Sequence, residues 1–202
     1  MRMTVLAVLV ALFVLPTSAG ATTRWFLEER PIAEGKIVQV ATTSPDLTVN
    51  LKLPKRTTIK IPCSAVGTAA FWNSPTEGLD ETQALNFSCP ERTTVTPALP
   101  WASTLLESAL PLHDQWESVR LQLTYNGVDY GTFSGSLTTT VGDVDPQKDR
   151  ETLPKDEVDN FLTFREHALV GPNEAKLWFS GIYHLGSKGS RVTDSSGAWS
   201  ES

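Results

Sequence analysis

Apolar and polar positions alternate one by one along most of this chain. Leu47, Val49, Leu51 and Leu53 take one set of positions, and Thr48, Asn50 and Lys52 the set between them. Side chains two apart on an extended backbone share a face, so this spacing predicts a strand with one apolar side. "LPKRT" then reads as a turn, and Thr57 to Cys63 runs back with Ile59 and Ile61 apolar, which predicts a hairpin. Upstream, "KIVQVAT" (Lys36 to Thr42) predicts a separate strand, cut off from Leu47 by the turn-like "TSPD". Downstream, "VGTAAFWN" and "TQALNFSC" predict two more around the Pro- and Gly-containing "SPTEGLD". Short strands at such near-regular spacing are the mark of a sandwich or barrel.

The clearest local signal is "SVRLQLTYNGVDYGTFSGSLTTT". Val119, Leu121, Leu123 and Tyr125 alternate with polar residues up to Asn126-Gly127, a pair suited to the positive φ angles of a type I′ hairpin turn. In a simple two-residue register the apolar face changes parity between Tyr130 and Phe133. A bulge at Gly131 would restore it and bring Tyr130, Phe133 and Leu137 to one side. Before this hairpin, "PALPWASTLLESALPLHDQW" has three prolines and mixed periodicity. It reads as a connector with one or two helical turns, packing Trp101 and Leu105 over the core. After Thr140, "VGDVDPQKDRETLPKDEVDN" is charged and aperiodic, as a solvated loop would be. "FLTFREHALV" and "EAKLWFSGIYHL" resume strands, and the Gly/Ser-rich tail has the composition of a disordered segment.

The fold class expected is therefore all-β, an antiparallel β-sandwich or partly closed barrel. One domain over residues 22–185 is expected, its halves 22–97 and 115–185 joined by the Pro-rich connector, with a disordered tail at 186–202. The first residues follow the plan of a secretory signal peptide: Arg2, an apolar run from Thr4 to Leu15, Pro16, and a small-residue cleavage site at Ala19-Gly20-Ala21. The run is too short for a membrane span of roughly 20 residues, so cleavage after Ala21 and no transmembrane segment thereafter are expected. The net charge of −6 argues against nucleic acid as a partner, since such binders present a basic face.

Export changes the reading of the two cysteines. Thiols outside the cytosol tend to be oxidised, and two cysteines allow one intramolecular pairing, Cys63–Cys89. Cys63 shares the parity of Ile59 and Ile61, and Cys89 that of Leu85 and Phe87, so both sulfurs should face the core. A bridge closing about 25 residues contributes roughly 3 kcal/mol in the chain-entropy model. The alternative is a pair of buried free thiols; zinc is disfavoured, because only three scattered histidines accompany them.

Catalytic chemistry is sparse. His113, His167 and His184 have ordinary surface readings, no G-x-S-x-G elbow is present, and nothing marks a pair of carboxylates for glycoside hydrolysis. No catalytic residue and no cofactor are assigned. Asp143, Asp145, Asp149 and Glu151 form an acidic run that could offer oxygens to calcium, but Pro146 intrudes and Lys148 and Arg150 offset the charge, so a solvated loop is the better reading. Trp116 and Trp178 read as core or edge anchors; Trp72, in "FWNSP" at a strand end, is the best candidate for an exposed platform that stacks on a ligand. Asn86-Phe87-Ser88 is a glycosylation sequon, with Asn86 facing solvent if Phe87 faces inward.

The stretch "IPCSAVGTAAF…GLDETQALNFSCPERTTVTPALPW" resembles exported proteins of high-GC Gram-positive bacteria, which share I-x-C, a glycine-containing gap, then F-x-C. The resemblance covers about a fifth of the chain and implies an extracytoplasmic β domain; no catalytic residue carries over. The expectation is a secreted or cell-envelope, non-enzymatic β module that binds a protein or wall component. A carbohydrate-binding module using exposed tryptophan, with a polysaccharide partner, is the alternative, and a secreted hydrolase is a weaker third.

Overall fold

The structure is a computed structural model and describes residues 23–28, 30–106, 112–142, 161–164, 167–186 and 192–193. The strands are β1 (Phe26–Leu27), β2 (Arg30–Pro31), β3 (Val38–Lys52), β4 (Thr58–Asn73), β5 (Gly78–Ser88), β6 (Thr94–Pro97), β7 (Trp101–Leu106) and β8 (His113–Tyr125). They continue with β9 (Val128–Val141), β10 (Phe161–Phe164), β11 (Leu169–Val170), β12 (Lys176–Ser180), β13 (Ile182–Leu185) and β14 (Val192–Thr193). Strands β3 to β13 form one antiparallel sheet that closes on itself, because β12 and β13 both pair with β3. The result is an eight-stave barrel in which β6 with β7, β10 with β11, and β12 with β13 each make one broken stave. The main sheet is therefore a barrel, one of the two all-β architectures expected, and it is closed all round. Neighbouring staves follow one another along the chain, the up-and-down topology. The described strands within the two expected halves thus supply two arcs of one barrel.

Four irregularities decide which residues face the lumen. In β3 the register shifts between Ser44 and Leu47, so Val40, Thr42 and Ser44 point inward before it and Leu47, Val49 and Leu51 after it. "TSPD" is therefore a bulge inside one long strand, where sequence reading placed a turn. Proline lacks the N–H that a regular ladder position needs, and a bulge tolerates that. In β5 the shift falls at Gln83, since Thr68 pairs Ala84 and Ala69 pairs Thr82. Gly67 lies beside this bulge, where a Cβ would stand 2.1 Å from the Ala84 carbonyl oxygen; only glycine lets the backbones approach so closely. In β8 the shift lies between Trp116 and Val119, around Ser118 with φ 53°. The fourth is the expected one. Asn126 and Gly127 turn with φ 51° and 77°, Tyr125 pairs Val128, and the extra residue follows at Tyr130-Gly131, with Gly131 at φ 82°.

The first three bulges lie near mid-height and divide the lumen in two. One half is apolar: Leu51, Ile61, Leu121, Leu123 and Phe133 are each at most 1% exposed. Burying each such side chain contributes about 1.5–3 kcal/mol. In this half Cys63 and Cys89 are joined, with Cα atoms 4.3 Å apart and their neighbours Ser64 and Ser88 directly paired across β4 and β5. The predicted staple is present and faces the core.

The other half holds Thr42, Asn73, Asp80, Thr82, Ser103, Asp114 and Thr139, all buried. Its end is closed by a plug, residues 23–28 and 30–32, whose strands β1 and β2 form a small sheet with β14. Within the expected tail, then, Val192–Thr193 pairs with Phe26–Leu27, and most of 186–202 lies outside the described residues. The expected signal peptide, Trp199 and the acidic run at Asp143, Asp145, Asp149 and Glu151 also lie outside them. The connector is corrected: Trp101–Leu106 is β7, paired with β5 and β8. Trp101, Ser103 and Leu105 alternate inward, and two waiting ladders override the weak helical periodicity. Trp101 and Leu105 are core residues, as their apolar character predicted.

Candidate functional site

The polar half of the lumen is built around two carboxyl groups. The Gln83 bulge turns Asp80 inward from β5, and the Ser118 bulge sets Asp114 and Trp116 inward on β8. β7 lies between them, with Ser103 paired to Asp80 and Leu105 to Asp114. The Ser103 hydroxyl donates to Asp80 Oδ1, and Trp116 Nε1 donates to Asp114 Oδ2. That leaves Asp80 Oδ2 and Asp114 Oδ1 without a donor, both fully buried. The two carboxyl groups are near enough to act on each other electrostatically. Ionising both acids together would place two like charges close to one another away from water, which favours a proton remaining on the pair.

Burial, foremost, pushes the carboxyl of Asp80 up to about 7, against the lowering effect of the Ser103, Asp114 and Trp25 contacts. Asp114 is held well above the ordinary carboxyl range, first by burial and then by the charge of Asp80. The pair therefore titrates as a unit and keeps a proton at neutral pH. Around it, Tyr183 hydrogen-bonds Thr42 Oγ1 at 2.5 Å and packs edge-on against Trp116. Burial, with the nearby Asp80 charge, pushes its phenol up to about 12.

Trp25 brings the plug to this pair. It is fully buried, sits edge-on to Phe71 with ring centroids 5.1 Å apart, and packs on Gly78. Its Nε1 approaches Asp80 without reaching hydrogen-bond geometry and has no other partner. Asn73, at the last inward position of β4, fixes the plug backbone. Its Oδ1 accepts from the Trp25 N–H at 2.8 Å, and its Nδ2 donates to the carbonyls of Trp25 and Ile32 at 2.9 and 2.8 Å. Thr23 adds a bond to the Leu105 carbonyl.

Between the halves the lumen keeps a void of only about 10 Å³, lined by apolar side chains that include Phe87, Trp101, Trp116 and Tyr183. Such a space is at the limit for one water and offers it no partner. Outside the barrel, an open cleft of about 480 Å³ runs along the plug between Glu28, Arg30, Ile32 and Lys36.

The sequence-predicted residues are spread over the molecule. Cys63 and Cys89 lie in the apolar half, away from the acid pair. Trp72 is half-buried on the outer wall, paired with Leu79, near the plugged end. The next row along the same face is Gln39, Ala70 and Glu81, with Gln39 bonded to Gln83 at 2.9 Å and Gln83 to Glu81 at 3.4 Å. Trp116 is core, as read; Trp178 is half-buried on the outer wall. His113 reaches the Thr139 carbonyl, His167 is exposed and His184 half-buried. Asn86 is exposed and Phe87 turns inward to stack on Phe179, as the sequon reading required.

Sequence reasoning missed Asp80, Ser103, Asp114 and the plug. A signal for Asp80 exists: Leu85, Phe87 and Cys89 set an odd inward parity that Gly78, Asp80 and Thr82 violate, and an unpaired Gln83 reconciles them. Among the described residues no group of three or more His, Cys, Asp or Glu is placed to hold a metal ion, and no helix is long and apolar enough to cross a membrane. The outer wall carries Gln39, Lys60, Gln83, Arg120 and Gln122, exposed, around an apolar lumen. That is the reverse of a lipid-facing barrel wall. The chain matches no protein-family model, no curated protein sequence and no solved structure.

Proposed function

We propose that this chain is an extracytoplasmic, non-enzymatic binding module that meets its partner, a protein or a cell-envelope component, on the outside of its barrel. The observation that carries this reading is the filled lumen. Among the described residues, the void bounded by Leu47, Phe87, Trp116 and Tyr183 holds only about 10 Å³, too small for a ligand of ordinary size. The acid pair, fully buried, offers no surface to a hydrolase substrate, which disfavours the hydrolytic reading. The disulfide suits an oxidising compartment. Purified residues 22–202, immobilised and challenged with an envelope extract, should retain a component that survives washing and competes with free protein. Repeated failure to retain any component overturns the reading.

A second reading has its own observation. Trp72 lies on a flat wall beside exposed Ile37 and half-buried Leu79, and one row further the side chains of Gln39, Gln83 and Glu81 form a hydrogen-bonded line. Rows on one strand face lie about 7 Å apart, so a sugar ring stacked on the indole would meet those amides and the carboxylate with its hydroxyls. Tryptophan fluorescence should then respond to a polysaccharide, and Trp72→Ala should abolish the response. Silence of the native protein across a panel of wall and storage polysaccharides removes this reading and leaves the first standing.

A further inference from the structure

We propose that the plug formed by residues 23–28 and 30–32 is a pH-sensitive latch, seated while Asp80 and Asp114 retain their shared proton and released as that proton is lost. Three buried polar atoms at the plug's inner end lack partners: Asp80 Oδ2, Asp114 Oδ1 and Trp25 Nε1. Two belong to the barrel wall and one to the plug. The wall oxygens have no donor, and the Trp25 indole lies near the Asp80 carboxyl.

Among the described residues, none packed around the pair supplies a countercharge. β7 contributes the Ser103 hydroxyl, β8 the Trp116 indole with Asp114, and β13 the neutral Tyr183, itself tied to Thr42 of β3. β9 contributes Thr139, bonded to the Asp114 carbonyl, and β4 contributes Phe71 and Asn73 against the plug. His113, beside Asp114 on β8, turns its ring to the Thr139 carbonyl. The charges acting on the pair are thus its own, and Tyr183 stays protonated through the neutral range.

Relief can come from water, and the plug is what separates the pair from the open end of the barrel. With the plug out, the carboxyls are hydrated and titrate near their ordinary values. With it seated, they hold protons to higher pH. Seating is therefore linked to proton uptake, and the opening equilibrium should rise by up to about tenfold per pH unit for each proton involved. Release would also vacate the slot that Trp25 fills between Phe71, Gly78 and Leu105.

Hydrogen exchange on the full chain after signal removal reads this directly. The Trp25 amide is bonded to Asn73 and the Ile32 amide to the Trp25 carbonyl, so both report the seated plug. Their protection factors, corrected for intrinsic exchange, should fall by an order of magnitude or more between pH 5 and pH 8 and at every pH should stay well below those of Val49 and Leu121, which report global unfolding. In Asp80→Asn/Asp114→Asn the fall should vanish; the Ser103 hydroxyl can accept as well as donate, so the amide pair remains bonded. Should that variant not fold, Trp25→Phe removes the N–H that favours ionised Asp80. The pH at which its profile flattens should then move upward. Plug protection that is independent of pH, or that equals the protection of Val49 and Leu121 at every pH, overturns the proposal.

Discussion

The two halves of this barrel share the same eight staves and are held together differently. The stapled half presents apolar side chains inward, from Leu47 and Ile61 to Phe133, and carries the Cys63–Cys89 bridge. The plugged half places Asp80, Asp114, Ser103, Thr42 and Asn73 inward and is completed by a segment outside the barrel. One half depends on burial and a covalent link, both indifferent to pH in the neutral range. The other depends on each buried polar atom finding a partner, and two of those oxygens share a proton. The bulges make this division, because each reverses which residues of its strand face inward. A barrel can thus combine an insensitive base and a responsive mouth in one sheet.

Experiments that attack the halves separately should give different signatures. The largest loss is expected from Phe133→Ala in the stapled half. Phe133 is fully buried, and Gly171 packs close against its ring, so the cavity left should lower unfolding free energy by about 3–5 kcal/mol, equally at pH 5 and pH 8. Replacing both cysteines by alanine should cost about 2–4 kcal/mol, again with no pH dependence, as judged by denaturant midpoints. An unchanged midpoint would mean that the bridge is present without acting as a staple.

The plugged half should answer to pH. Its carboxyls have raised values in the folded chain and near 3.8 in the unfolded one, so folding takes up protons. This contribution is fully present below about pH 4 and is lost as pH rises through about 7, at up to about 1.4 kcal/mol per pH unit per proton. Urea midpoints of the native protein should fall across that window, and those of Asp80→Asn/Asp114→Asn should stay nearly level. A smaller effect, about 1 kcal/mol, is expected for Thr42→Val, which removes the partner of the buried Tyr183 hydroxyl. The smallest is for Trp72→Ala: within about 0.5 kcal/mol in stability, because the ring lies on the outer wall, while any polysaccharide response is lost.

The contrast between the halves also explains what could be read from the chain. The stapled half was legible because its alternation runs unbroken from Leu47 to Leu53, from Ile59 to Cys63 and from Val119 to Tyr125. Even the Gly131 bulge announced itself, since glycine marked the place and Phe133 stood at the wrong parity. The plugged half was hidden by bulges without such punctuation. Gln83 and Ser118 look like ordinary strand residues, so Asp80 read as part of the turn-like "SPTEGLD" and Asp114 as part of a connector. Pro45 carried the opposite error, suggesting a turn where the strand only bulges. The plug could not be foreseen at all: Trp25 reaches its place through Asn73, 48 residues away in sequence, and no local pattern encodes that contact.

The central claim is that Asp80 and Asp114 form a buried, proton-sharing pair in the plugged half. The most direct measurement is a carbon-13 NMR titration of the side-chain carboxyls, assigned with Asp80→Asn and Asp114→Asn. The account predicts that Asp80 titrates near pH 7, that Asp114 titrates well above the ordinary carboxyl range, and that each substitution alters the other's midpoint. Two independent titrations in the ordinary carboxyl range, near pH 4, would contradict it.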